Sequence, residues 1–179
     1  MKIKLLAALI VAGTAMSAQF AHATDGLINF KGLITPQTCT INGNGSGSSD
    51  FTVTLPTVSV GTLNQAGASA GRTPFKIALT NCTPESGTVH TFFEAGPTTD
   101  AATGNLILDA GGASNVQIRL LNDNFTYIKA GFADASQQFK TFSISGGNAT
   151  LSYYAEYVAT AAATPGEANS RVMYTIAYQ

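Results

Sequence analysis

"TDGLINFKG", residues 24–32, alternates Gly26, Ile28, Phe30 and Gly32 with Asp25, Leu27, Asn29 and Lys31. A period of two belongs to an extended strand with two unlike faces. The stretch follows directly on Ala21-His22-Ala23. Residues 1–23 read as a secretory signal: Lys2 and Lys4 form the basic start, Leu5 to Ala12 the apolar run, and Ala21-His22-Ala23 the small-x-small cleavage site. An uncleaved membrane anchor needs roughly 20 apolar residues, and this run is far shorter. Cleavage after Ala23 makes Thr24 the first mature residue. Chain termini are normally frayed and polar unless something ties them down, so an apolar, alternating start calls for a groove to lie in.

The same alternation recurs to the end of the chain. "FTVTLP" carries Phe51, Val53 and Leu55 on one side, "FKIALTNC" carries Phe75, Ile77 and Leu79, and "VQIRLL" carries Val116, Ile118 and Leu120. "LSYYAEYVA" sets Leu151, Tyr153, Ala155 and Tyr157 on one face, and the final "RVMYTIAYQ" sets Val172, Tyr174, Ile176 and Tyr178. Shorter runs at 89–95, 105–110 and 124–130 fill the remainder. Between them stand "NGNGSGSSD" (42–50), "DAGGASN" (109–115), "SGGN" (145–148) and "ATPGEANS" (163–170), rich in residues that accept positive φ or cap their own backbone. Short alternating runs punctuated by such turns predict an all-β chain, an antiparallel sandwich or barrel. "TPGEAN" could serve as a binding loop, though a hairpin connection between the last two strands accounts for it. The first and last runs are both apolar, and an apolar strand edge is a template for pairing with another chain.

Composition narrows the function. Without Lys2 and Lys4, seven basic residues face ten acidic ones, and neither a basic patch nor a cationic amphipathic helix points to nucleic acid or a membrane surface. The 156 residues after the signal suit one domain. Cys39 and Cys82, the only cysteines, are compatible with one disulfide in an oxidising compartment. The alternative, a metal site, has only two sulfurs without CxxC spacing and one mature histidine to draw on. That histidine, His90, sits in a strand-like run and reads as an ordinary side chain on a sheet face rather than a general base. No HExxH or P-loop occurs. "DAGGASN" is glycine-rich but opens no helix, so it is not a phosphate cradle. Tyr153, Tyr154, Tyr157, Tyr174 and Tyr178 sit at strand spacing and read as packing rather than a sugar platform. The expectation is no catalytic site, no cofactor and no metal.

Several features then converge: "INFKG" after the signal site, Cys39 at the end of the first strand, Cys82 in "LTNC" 43 residues on, "ATPGEAN", and the terminal "YTIAYQ". Together they resemble chaperone-usher fimbrial pilins, in particular the type 1 fimbrial major subunits. The resemblance covers essentially the whole mature chain, and its specificity lies in the combination. It implies an incomplete immunoglobulin-like β-sandwich completed by a donor strand from another subunit, and a disulfide between Cys39 and Cys82 joining the first two strands. It further implies that Gly166, fourteenth from the end, and the penultimate Tyr178 mark the segment a periplasmic chaperone reads, with Val172, Tyr174, Ile176 and Gln179.

Under that resemblance residues 24–34 are a donor-strand extension running into the first strand, "LITPQTC", and 35–179 the pilin domain. Thr24, Gly26, Ile28, Phe30 and Gly32 face a neighbour's groove. Only two residues precede Gly26, an extension shorter at its start than in many type 1 subunits, and alternation assigns Thr24 to the outermost pocket. Burying Ile28 and Phe30 is worth about 1.5–3 kcal/mol each, repeated at every joint. A head-to-tail contact of this kind generates a filament rather than a ring. The implied partners are identical subunits, a periplasmic chaperone, an outer-membrane usher and tip subunits. The implied location is a fimbrium supporting adhesion at the cell surface, reached through the periplasm. The rival readings are a minor or tip-adaptor pilin of the same assembly and, from another class, a secreted carbohydrate-binding sandwich.

Overall fold

The computed structural model describes residues 26–32, 34 and 36–179. The signal reading of residues 1–23 and the assignment of Thr24 lie outside them. The chain divides into two units, Met1–Ile34 and Thr35–Gln179. In the first, residues 26–32 and 34 form neither strand nor helix, and Leu27, Ile28, Phe30 and Ile34 are all exposed. A single extended run has no ladder partner of its own, so alternation alone does not make it a strand.

Among its described residues the second unit contains nine strands: β1 (Thr38–Gly43), β2 (Ser69–Thr83), β3 (Gly87–Phe93), β4 (Leu106–Ile107), β5 (Val116–Asn122), β6 (Tyr127–Ile128), β7 (Phe142–Ile144), β8 (Ala149–Ala159) and β9 (Tyr174–Tyr178). Short 3-10 turns occupy Val60–Leu63 and Asp134–Ser136. One sheet runs β1-β2-β8-β5-β4 with β6 added on β5, the other β7-β3-β9. Every pairing is antiparallel.

The longest strands make the centre because their apolar rows coincide. Phe75 lies opposite Tyr153 and Ile77 opposite Leu151, all buried, while Lys76 and Ser152 take the other face. A slip of one residue would turn the whole row to solvent, so this register is strongly specified. Val89 and Phe93 of β3 and Ile176 of β9 close the core from the second sheet. Between the sheets the Tyr153 hydroxyl donates to Thr91 Oγ1 at 2.9 Å. Burial pushes the Tyr153 phenol up to about 12, against the smaller opposing pull of its Thr91 hydrogen bonds.

The structure differs from the sequence reading at four places. The first strand begins at Thr38, so Cys39 stands near its start, not at its end; Pro36 has no N–H to give to a ladder just before it. Residues 51–56 alternate in burial but belong to no strand. A short strand, β7, lies at 142–144 where none was read, and "SGGN" turns the chain from it into β8 in the other sheet, with Gly146 and Gly147 at φ 55 and 72. Finally, "ATPGEANS" is no hairpin. β8 pairs with β2 and β5 and β9 pairs with β3, so this segment crosses from one sheet to the other.

A disulfide joins Cys39 of β1 to Cys82 of β2. It sits at a break in the β1–β2 register between Thr38 and Thr40, tying the ladder together where backbone pairing is irregular.

Candidate functional site

Among the described residues β9 is bonded on one side only. Gln179 N donates to Thr88 O at 2.8 Å and Thr88 N to Gln179 O at 3.3 Å, and Glu94 N donates to Met173 O at 2.9 Å. In an antiparallel ladder alternate residues bond the same neighbour, so the odd residues 173 to 179 serve β3. The N–H and C=O groups of Val172, Tyr174, Ile176 and Tyr178 therefore point away from it. Their side chains pack toward the core, with Ile176 buried and the other three half-buried.

Facing that free edge runs the segment 51–58. Among the described residues, 51–58 make no backbone–backbone hydrogen bond. Phe51, Val53, Leu55 and Val58 are half-buried against the core. Phe51 is held by rings on both sides, Phe75 and Tyr174 each at 6.1 Å between centroids, and by Gly43, where any side chain would collide with its ring.

Between the two edges lies an open groove. Its larger stretch, about 1000 Å³, is walled by Phe51, Val53 and Leu55 on one side and Val172, Tyr174, Ile176 and Tyr178 on the other, over a floor that includes Phe75, Ile77, Ile118 and Leu120. A second stretch, about 620 Å³, shares Val53, Leu55, Ile118 and Ser170 with it and continues past Val58 and Leu63 to Gly166. Tyr174 ties the walls together, its hydroxyl donating to Ser49 O at 2.6 Å. Burial raises the phenols of Tyr174, Tyr157 and Tyr178, with the nearby Asp50 charge adding to the effect on Tyr174.

Such a groove offers apolar side-chain pockets below and unpaired backbone on both rims. Those are the two things an added β-strand needs, main-chain bonds for affinity and alternate pockets for register.

Val172, Tyr174, Ile176, Tyr178 and Gly166 thus line one groove. Gln179 does not; it is exposed and its backbone bonds go to β3. Gly26, Ile28, Phe30 and Gly32 lie in the other unit, and a Cβ added to either glycine meets no heavy atom within 4 Å. His90 is buried on β3, its Nε2 2.8 Å from Asp134 Oδ1 and its ring stacked on Phe139 at 3.6 Å. It opens onto neither stretch of the groove. Among the described residues no group of three or more His, Cys, Asp or Glu is placed to hold a metal ion.

Sequence reasoning missed the second wall. The available signal was Pro56, which removes a ladder donor and marks edge or unpaired segments, following directly on an alternating run.

With this geometry in view, the chain was compared with known proteins. The family model described as FimA, type-1 fimbrial protein, A, matches residues 55–179. The chain is 50% identical over 165 residues to the major fimbrial subunit SMF-1 of Stenotrophomonas maltophilia, covering 88% of this chain and 95% of that one. It is 45% identical over 176 residues to the F17 fimbrial protein of Escherichia coli, covering 95% of each. Among solved structures, the P pilus rod subunit PapA shares the fold with a TM-score of 0.60 at 20% identity, covering 79% of this chain and 99% of that one.

Proposed function

The chain belongs to the type-1 fimbrial protein family and is a structural subunit of a fimbria, and we propose that it is the repeated shaft subunit, joined to its neighbours by strand donation. The observation that carries this reading is the groove with unpaired backbone on both rims. The similarity to a major fimbrial subunit over 88% of the chain supports the shaft role.

In this reading residues 24–32 of one copy lie in the groove of the next. Ile28 and Phe30 turn down onto the apolar floor and Gly26 and Gly32 pass where little room is left. The donor's own N–H and C=O groups pair on one side with the outward groups of residues 172, 174, 176 and 178, and on the other with 51–58. Each joint then removes two exposed apolar side chains from water and satisfies two rows of backbone groups at once. Because donor and groove are different surfaces of the same chain, the contact is heterologous and propagates without closing.

Before assembly the same rim needs a temporary partner, since an open apolar edge aggregates. A periplasmic chaperone pairing with β9 would supply it, and an outer-membrane usher would exchange chaperone for donor strand. Tip subunits would cap the filament, which stands on the cell surface.

The test is assembly of Phe30→Asp subunits. A buried unpaired carboxylate is strongly disfavoured, so these subunits are expected to accumulate with their disulfide formed, bound to chaperone, while fibres fail to extend. Fibres of wild-type length built entirely from Phe30→Asp subunits would overturn strand donation.

A further inference from the structure

The glycine-rich "DAGGASN", residues 109–115, takes no part in the groove's large stretch. It is nevertheless the support on which the far rim is laid. Ala113 N donates to Glu167 O at 2.7 Å, Asp109 N to Asn169 O at 2.8 Å and Thr164 N to Ser114 O at 3.2 Å. Ser114 N in turn donates to Thr164 Oγ1 at 2.9 Å, and Asn115 Nδ2 to Ala162 O at 2.9 Å. The crossover from β8 to β9 is thereby zipped along 109–115 through the same stretch, 163–170, that walls the smaller part of the groove.

Two glycines make that closeness possible. A Cβ on Gly112 would collide with the backbone oxygen of Glu167, and a Cβ on Gly166 would lie 2.6 Å from Ala113 N. Both obstacles are backbone, which cannot swing aside as a side chain can. Neither glycine has φ in the left-handed region, so contact rather than conformation excludes a side chain at both positions.

We propose that Gly112 is a positioning residue for strand capture: it sets how far the 163–170 rim stands from the groove floor, and so the fit of one end of the incoming strand. This rests on the strand-donation reading. Gly112 lies on the β4–β5 connection and touches the groove only through Glu167 and its neighbours, so a methyl there displaces the rim and leaves β9 and the 51–58 wall in place.

The test uses fibres assembled from Gly112→Ala subunits, with Gly96→Ala as control, because a Cβ on Gly96 meets nothing within 4 Å. Gly112→Ala fibres are expected to fall apart in hot detergent at a lower temperature than wild type. Amide exchange should speed up by about tenfold or more within 109–115 and 160–170, while β8 keeps its protection. Gly96→Ala fibres should match wild type in both measurements. The Gly112→Ala, Gly166→Ala double variant should be little worse than the poorer single one, since one displacement relieves both collisions. Should Gly112→Ala yield no folded subunit, Thr164→Val removes the hydroxyl that accepts from Ser114 N at nearly constant volume and is expected to give the same local pattern, more weakly. Wild-type dissociation and exchange in Gly112→Ala fibres, or protection lost evenly over both sheets, would overturn the proposal. The two readings fail separately: normal fibres from Phe30→Asp subunits sink strand donation, whereas a block by Phe30→Asp with a silent Gly112→Ala sinks only the role of Gly112.

Discussion

Phe51, Val53 and Leu55 in residues 51–56, and Phe75, Ile77 and Leu79 in β2, are matching rows: three alternating apolar side chains, each begun by a phenylalanine. In β2 the row is sealed, with Ile77 0% and Leu79 1% exposed and ladders on both sides, to β1 and to β8. In 51–56 the row is half-buried and its backbone pairs with nothing among the described residues. The side chains are of one kind, so the difference lies in the neighbours. β2 finds both partners within its own chain, and 51–56 finds none. Alternation reports that a segment wants one face covered; it does not report who supplies the hydrogen bonds.

The sharpest way to break the comparison is the same substitution in both rows. Leu79→Asp places a carboxylate in the part of the sealed row that lines neither stretch of the groove, where an unpaired charge costs more than about 5 kcal/mol. No disulfide-bonded, soluble subunit is expected. Val53→Asp places it at a rim still open to water before assembly, so the disulfide-bonded subunit should accumulate while fibres fail to extend. Equal loss of folded subunit in both variants, read by oxidised subunit on gels, would erase the distinction between a core row and a groove row.

Next in size is the disulfide. Replacing Cys39 and Cys82 by serine opens a loop of 43 residues' separation, for which the chain-entropy estimate is about 4 kcal/mol. The bond also pins β1, whose register breaks at Cys39. The double variant is expected to be degraded before assembly, and recovery of the serine variant at wild-type level in fibres would count against a stabilising role.

A smaller effect separates the core tyrosine from those of the groove by pH. Tyr153 is 1% exposed and its phenol is raised to about 12. A raised phenol means the fold favours the neutral form, so that contribution is complete below the unfolded value near 10 and is lost as pH climbs toward 12. A shift of this size corresponds to about 2–3 kcal/mol. Fibre melting temperature should drop between pH 10 and 12, and Tyr153→Phe should flatten the drop. Part of the slope should survive, because Tyr157, Tyr174 and Tyr178 shift in the same direction. An unchanged slope in Tyr153→Phe fibres would remove Tyr153 from the account.

Much of this was legible in the residues. The rows of β2, β5 and β8 are long and alternate over most of their length, breaking only at the ends of β5 and β8, where both faces are buried, so period and partner agree. The groove wall of β9 was legible for the same reason, through Val172, Tyr174, Ile176 and Tyr178. The opposite wall was not, because residues 51–56 look like any strand until the sheets are assembled and none has taken them. The crossover at 163–170 was misread because Pro165 and Gly166 give the same local turn signal whether the chain doubles back or changes sheet. Which of the two occurs is decided by distant contacts with 109–115. Short pieces such as β4 and β6, two residues each, exist only as additions to β5 and carry little pattern of their own.

The last and smallest difference concerns Tyr174, which belongs to both walls. Its ring packs on Phe51 and its hydroxyl donates to Ser49 O, so it fixes the groove's width at that end before any strand arrives. Tyr174→Phe keeps the ring and deletes one hydrogen bond, worth about 0.5–1.5 kcal/mol. Ser49 is exposed and its carbonyl can turn to water, which places the loss toward the lower figure. The fold should be untouched, because nothing in the sealed row depends on that bond. Capture should suffer slightly, because the chain leading into the 51–58 wall loses its hydrogen bond to β9 and keeps only the Phe51–Tyr174 ring contact. The expected outcome is wild-type accumulation of oxidised subunit, with a rate of strand exchange in a chaperone–subunit mixture, measured with a synthetic peptide of residues 24–32, reduced by about two- to fivefold. If Tyr174→Phe instead lowered subunit accumulation and left the exchange rate unchanged, Tyr174 would belong with Leu79 among the core residues, and the boundary between sealed row and groove would have to be moved to exclude it.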